Sequence, residues 1–261
     1  MSVSLPQKPL AHPNTQQLRD LVQMRRRGIF IYALPNVFTS ANLVFGFLAI
    51  VYAVDGKYES AAWALILSSI FDLLDGRVAR LTHTTTKFGV EFDSLCDLVS
   101  FGIAPAMLAY LASLKEFGRL GLVVAIIYAL CGALRLARFN VLSSVLPKAY
   151  FQGLPIPAAS ATIATLFFFA KELDISLQKN PWVLILVFTI GILMVSTVRF
   201  PSFKDTHFRH RQAFGKVAGI LLALVSLIIW LEIASFVILV GYILVSLGLD
   251  LLRAYRRKAI H

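Results

Sequence analysis

Charge is scarce in this chain. Of its 261 residues, 15% are charged and 58% are hydrophobic. An ordinary soluble domain carries about 25% charged and about 45–50% apolar residues. So few charges cannot cover a soluble surface, and so much apolar content excludes disorder over most of the chain. Cysteine is almost missing. Cys96 and Cys131 both fall inside apolar stretches, which excludes a disulfide scaffold and a cysteine-built zinc site. Acids are few as well: 14 Asp and Glu stand against 25 Lys and Arg, for a net charge of +11. An excess of that size could serve nucleic acid or a membrane surface, and its placement decides between them.

What the chain has in quantity is long apolar runs. They predict an all-α, polytopic membrane helical bundle with about eight transmembrane helices, at 31–54, 59–75, 92–112, 119–139, 154–170, 181–198, 215–231 and 233–250. Residues 215–250 are nearly continuous, and Glu232 marks the turn that divides them. Segment 15–28 spaces Leu18, Leu21, Val22 and the cluster Arg25 to Arg27 as an amphipathic helix would. It suits an N-terminal interfacial helix or a solvated basic tail. The first apolar run begins near residue 30 and is too long for a signal-peptide core. The organisation that follows is a cytoplasmic N-terminal segment (1–29), a membrane core (30–200), a loop with two additional spans (201–250) and a basic tail (251–261).

With an even number of spans, twenty of the 25 basic residues fall on one side, among them Arg77, Arg80, Lys87, Arg135, Arg138, Lys148 and Arg199. The positive-inside rule then puts both termini in the cytoplasm and the protein in the cell (inner) membrane. Basic residues spread over every loop on that side are topology signals and lipid-headgroup contacts, so no nucleic-acid partner is expected.

The acids that remain are concentrated in Phe71 to Asp97. Asp72 and Asp75 are three apart at the end of one span, and Asp93 and Asp97 are four apart at the start of the next, so each pair shares a helix face. A short connection makes the two helices antiparallel neighbours whose acidic faces meet at the membrane edge. Four carboxylates there repel each other and lose hydration, and a hard divalent cation bound through oxygen is the natural compensation. Helix-end solvation explains the pair at 72 and 75 poorly, because acids at a helix C-terminus oppose its dipole. Gly76 leaves room for close approach or ends the helix, and Arg80 can grip phosphate. Such a site suits phosphoryl transfer: cations bridge a diphosphate while a spare carboxylate takes a proton from an attacking hydroxyl.

The run Asp72-x2-Asp75-Gly76-x2-Ala79-Arg80-x8-Gly89-x3-Asp93-x3-Asp97 resembles the signature of the CDP-alcohol phosphotransferases, with every spacing met. The resemblance covers roughly residues 30–205. It implies a homodimeric helical bundle in which Asp72, Asp75 and Asp93 bind Mn²⁺ or Mg²⁺, as two ions, and Asp97 completes the site as general base. Asp93 counts with Asp97 among the catalytic residues. Gly76, Ala79, Arg80 and Gly89 would lie against the nucleotide and diphosphate. Pro35-Asn36-x2-Thr39-x2-Asn42 resembles the family's substrate-facing N-terminal stretch, although Pro35 and Asn36 also read as a helix start.

The runs Arg135-Leu-Ala-Arg138-Phe-Asn140 and Phe151-x-Gly153-Leu-Pro155-x-Pro157 look like the phosphatidylserine synthase branch of bacteria and archaea. That branch implies CDP-diacylglycerol and L-serine as substrates, and Arg135 and Arg138 could grip the serine carboxylate. Choline, inositol or a phosphorylated alcohol stays open as acceptor. A transporter is the rival of another class, but it would place isolated acids near the middle of the membrane.

Overall fold

The computed structural model describes residues 15–82, 86–143, 151–200 and 231–258. The helices are α1 (Thr15–Val54), α2 (Tyr58–Leu81), α3 (Lys87–Asp97), α4 (Ala104–Ala112), α5 (Arg119–Ser143), α6 (Ile156–Glu172), α7 (Pro181–Val195) and α8 (Leu231–Lys258). A π-helical turn, Leu98–Ile103, joins α3 directly to α4, and a short 3-10 turn, Leu114–Phe117, leads into α5. All but the last residue of the expected span 215–231, and Lys148, lie outside the described residues.

The expectation of about eight membrane spans does not hold. Among the described residues three helices are long and apolar enough to cross: Pro35–Val54, Phe88–Ala112 and Arg119–Val141. The physical reasons are visible in the other helices. Glu59, Asp72, Asp75, Arg77 and Arg80 load α2 with charge. Helix α6 has 17 residues and α7 has 15, short of the ~20 that a perpendicular crossing needs. The apolar part of α8, Ala234–Gly248, is similarly short. Nor do the described residues set segment 15–28 apart as an interfacial helix: residues 15–54 form one 40-residue helix that runs through Pro35. Proline removes one backbone donor there, but the helix continues on both sides of it.

The described helices still make a multi-pass membrane protein. Helix α5 exposes Leu122, Ile126, Leu130 and Leu134 at four-residue spacing, an apolar stripe that water would penalise and lipid accepts. The interior is built largely from small residues. Ala49 and Ala53 of α1 and Ala61, Ala62 and Ala64 of α2 are buried and bring the backbones close. Gly46 shows how close: a Cβ there would collide with Ser100 of the π-helical turn, about 2.2 Å from its hydroxyl oxygen.

Residues after α5 tie the far side of the bundle together. Phe151–Gln152 (β1) pairs antiparallel with Arg199–Phe200 (β2), Phe151 opposite Phe200. Gly153 follows with φ 83, a conformation that favours glycine, and its Cα sits so near the Met194 carbonyl that no side chain fits. Leu154 N–H then donates to the Leu193 carbonyl at 3.0 Å. The Gly-Leu-Pro run of the sequence is thus a suture onto the end of α7.

Candidate active site

Helix α2 carries Asp72 and Asp75 on its last turns and continues to Leu81, so Gly76 does not end it. Helix α3 begins after Thr86, whose hydroxyl accepts from Gly89 N–H at 2.9 Å. A cap of this kind contributes about 1 kcal/mol. It sets the phase of the helix that presents Asp93 and Asp97. The two acidic helices do not rely on each other for support. Helix α1 packs against both and supplies polar side chains to the carboxylates.

One carboxylate oxygen from each of Asp72, Asp75 and Asp93 lies within 4.8 Å of the others. Asp75 is 4% exposed. Its Oδ2 and the Oδ1 of Asp93 are buried without a hydrogen-bond partner. Leaving a buried acceptor unsatisfied costs about 1–3 kcal/mol, and more when it is charged. Three clustered carboxylates, two of which carry an orphaned oxygen, fit a hard divalent cation.

Asp97 is 8% exposed and stands beside the triad, in side-chain contact with Asp72. Its Oδ1 accepts from the Asn42 amide Nδ2 at 3.0 Å. Asn42 is fully enclosed. Its side-chain oxygen accepts from the Ser68 hydroxyl, and its backbone carbonyl is met by Ser68 Oγ at 3.1 Å and Ser100 Oγ at 3.0 Å. Asn42, part of the stretch expected to face the substrate, makes its side-chain contact with the Asp97 carboxylate. Thr39, one turn earlier, is buried against Asp75 while its hydroxyl donates to the Pro35 carbonyl. Asn36 reaches toward Gly89, where an added Cβ would lie 3.6 Å from its Oδ1.

The expected phosphate-gripping group is also nearby. The Arg80 guanidinium folds over Gly76, 3.7 Å from where a Cβ would stand. Both Arg80 and Ala79 lie on the last turn of α2, with Arg80 exposed. The two arginines of α5 part company. Arg135 lies within electrostatic reach of Asp97 and Asp72, its guanidinium 5.9 Å from the Phe139 ring centre and its Nε buried without a partner. Arg138 donates to the Val195 carbonyl at 3.2 Å, clasping the end of α7.

Ser68 and Ser100 were not singled out from the sequence. A signal existed: Ser68 is four residues before Asp72 and Ser100 three after Asp97, so each continues an acidic face. Asn140 was quoted only as part of a motif. It exchanges hydrogen bonds with Ser94, the nearer at 2.9 Å, and so fastens α3 to the end of α5.

Comparison with known proteins agrees with this geometry. The chain is 42% identical over 176 residues to a CDP-diacylglycerol–serine O-phosphatidyltransferase of Helicobacter pylori, covering 67% of this chain and 74% of that one. It is 37% identical over 173 residues to the protein of the same name in Bacillus subtilis, covering 66% and 91%. An archaetidylserine synthase of Methanothermobacter thermautotrophicus is 37% identical over 173 residues, covering 65% and 70%. The profile of the CDP-alcohol phosphatidyltransferases matches residues 32–179, from within α1 to just before α7, and the chain is a member of that family of membrane enzymes.

Proposed function

We propose that this enzyme transfers the phosphatidyl group of CDP-diacylglycerol to the hydroxyl of L-serine, giving phosphatidylserine and CMP. The observation that carries the reading is the convergence of Asp72, Asp75 and Asp93 with two buried, unpartnered oxygens, beside a fourth carboxylate held by an amide. The resemblance to serine transferases over about two thirds of the chain supports serine as the acceptor.

Asp72, Asp75 and Asp93 would hold Mn²⁺ or Mg²⁺, as a pair of ions, with Asp97 completing the set. Cations held there would supply charge neutralisation for the diphosphate and for the CMP leaving group. Arg80, with Gly76, Ala79 and Gly89 beside it, lies against the phosphates and nucleotide, and Asn36 and Thr39 line the same side. Arg135 pairs with the serine carboxylate, which its unpartnered Nε supports.

Asp97 takes the proton from the serine hydroxyl. The serine oxygen forms a bond to the phosphorus that carries diacylglycerol, and the bond from that phosphorus to the CMP oxygen breaks. Arg77 and Arg80 at the end of α2, and Arg135 and Arg138 near the end of α5, support a site facing the cytoplasm. The working unit is proposed to be a homodimer.

The test supplies purified protein with CDP-diacylglycerol, Mn²⁺ or Mg²⁺, and serine, choline, inositol or glycerol 3-phosphate in separate reactions, and follows CMP release. Release with serine alone is expected. Release with another alcohol alone would reassign the acceptor, and release with none would overturn the enzymatic reading.

A further inference from the structure

We infer that Asn42, oriented by Ser68, is a positioning residue that reserves one oxygen of Asp97 as an acceptor and leaves the other for the reaction. This rests on the reading of Asp97 as the general base.

The argument begins with the protons available. Asn42 Nδ2 can only donate, and it does so to Asp97 Oδ1 at 3.0 Å. Asn42 Oδ1 can only accept, and it faces the Ser68 hydroxyl. Turning the amide over would set an acceptor against Asp97 Oδ1, which is tolerable only if that oxygen carries a proton. With Asp97 ionised, the orientation is therefore unique. Asn42, Ser68 and Ser100 are all 0% exposed, so no water takes over these bonds from the bulk.

The consequence for Asp97 is directional. Oδ1 is committed to the amide, and the carboxylate cannot rotate without giving up a bond in a buried, low-dielectric place. Asp97 is also in side-chain contact with Asp72, so the oxygen that the amide leaves uncommitted belongs to a carboxylate standing beside the triad. The proton from the attacking alcohol then has one destination instead of two.

The two serines provide an internal control. Both hydroxyls reach the Asn42 backbone carbonyl, but only that of Ser68 also reaches the side-chain amide. A role in merely holding α1 in place belongs to both serines. A role in aiming the amide belongs to Ser68 alone.

The experiment measures kcat, the KM for each substrate, Mn²⁺ affinity by electron paramagnetic resonance and thermal stability in the purified full chain. Groups that orient a site through a neighbour typically change activity about 10–100-fold. Asn42→Ala should lower kcat by about that factor while both KM values and Mn²⁺ affinity stay within about threefold. Ser68→Ala should lower kcat in the same way but less, and Ser68→Thr, which keeps the hydroxyl, should recover it. Ser100→Ala should lower thermal stability with kcat nearly unchanged.

If Asn42→Ala fails to fold, the Ser68 and Ser100 pair decides alone. Equal losses of kcat at Ser68 and Ser100 would overturn the inference, as would an unchanged kcat in Ser68→Ala. A loss confined to the KM for CDP-diacylglycerol would overturn it too, by moving Asn42 to the nucleotide. Wild-type protein that releases no CMP with any alcohol would overturn the underlying reading, a result distinct from all of these.

Discussion

The two ends of α2 treat the same chemistry in opposite ways. Near its start, Glu59 is half exposed and meets Lys171 of α6 at 2.7 Å, and just before the helix Lys57 meets Asp55 at 3.4 Å. Every acid there has a cation and water. Near its end, Asp75 is buried with an oxygen that nothing satisfies. Folding alone would select the first arrangement, because a solvated ion pair costs little and an orphaned buried carboxylate costs much. The second persists because its charge is held for something that arrives later. The contrast marks the site more sharply than the motif does, since the motif cannot tell a satisfied acid from an unsatisfied one.

That contrast can be broken most forcefully at the triad. Asp93→Asn should reduce kcat/KM by on the order of 1,000-fold or more, since bound metal supplies several kcal/mol of transition-state stabilisation. Steady-state CMP release measures it, and turnover within tenfold of wild type would show that the triad is not the catalytic end. Asp97→Asn should retain CDP-diacylglycerol binding while turnover falls by about 10²- to 10⁴-fold, the usual contribution of a general base. Normal turnover would move the base elsewhere.

Smaller effects sharpen the picture. Arg135→Ala removes a charge-assisted contact worth about 1.5–3 kcal/mol, so the serine KM should rise about 10- to 100-fold with little change for the CDP-lipid. A change in CDP-lipid KM instead would place that arginine at the nucleotide. Gly46→Ala drives a methyl group into Ser100 and should lower stability by about 1–3 kcal/mol in a thermal or denaturant titration. At the other end of α2, Glu59→Gln should alter stability by no more than about 1 kcal/mol and leave CMP release unchanged. Equal sensitivity at Glu59 and Asp93 would erase the distinction between the ends.

The acidic constellation was legible in the sequence because spacings of three and four report a helix face directly. The convergence of Asp72, Asp75 and Asp93 needed no knowledge of the rest of the bundle. Counting spans failed for the opposite reason. Hydropathy averages over a segment, while crossing depends on where a helix starts, how long it runs and how its charges are placed. Helix α1 runs through Pro35, which also read as a start, and begins well before the expected span at 31, while α2 extends through Gly76 where an end was plausible. The direct pairing of the two acidic helices was expected from their short connection, but α1 supports both. Asn42 illustrates a deeper limit. Its type and position were noticed, yet whether an asparagine meets a ligand or a neighbouring carboxylate depends on a helix 55 residues away.

The π-helical turn at Leu98–Ile103 begins one residue beyond Asp97. Such a turn holds an extra residue, so it acts as a phase shifter in an otherwise continuous rod. The side that α3 shows to the carboxylates and the side that α4 shows to its neighbours are set independently. Tyr128 of α5 takes advantage of the widened turn, its buried hydroxyl donating to the Phe101 carbonyl at 3.2 Å. Helix α4 can therefore seat Ala104, Leu108 and Ala109 in the core without re-aiming Asp97.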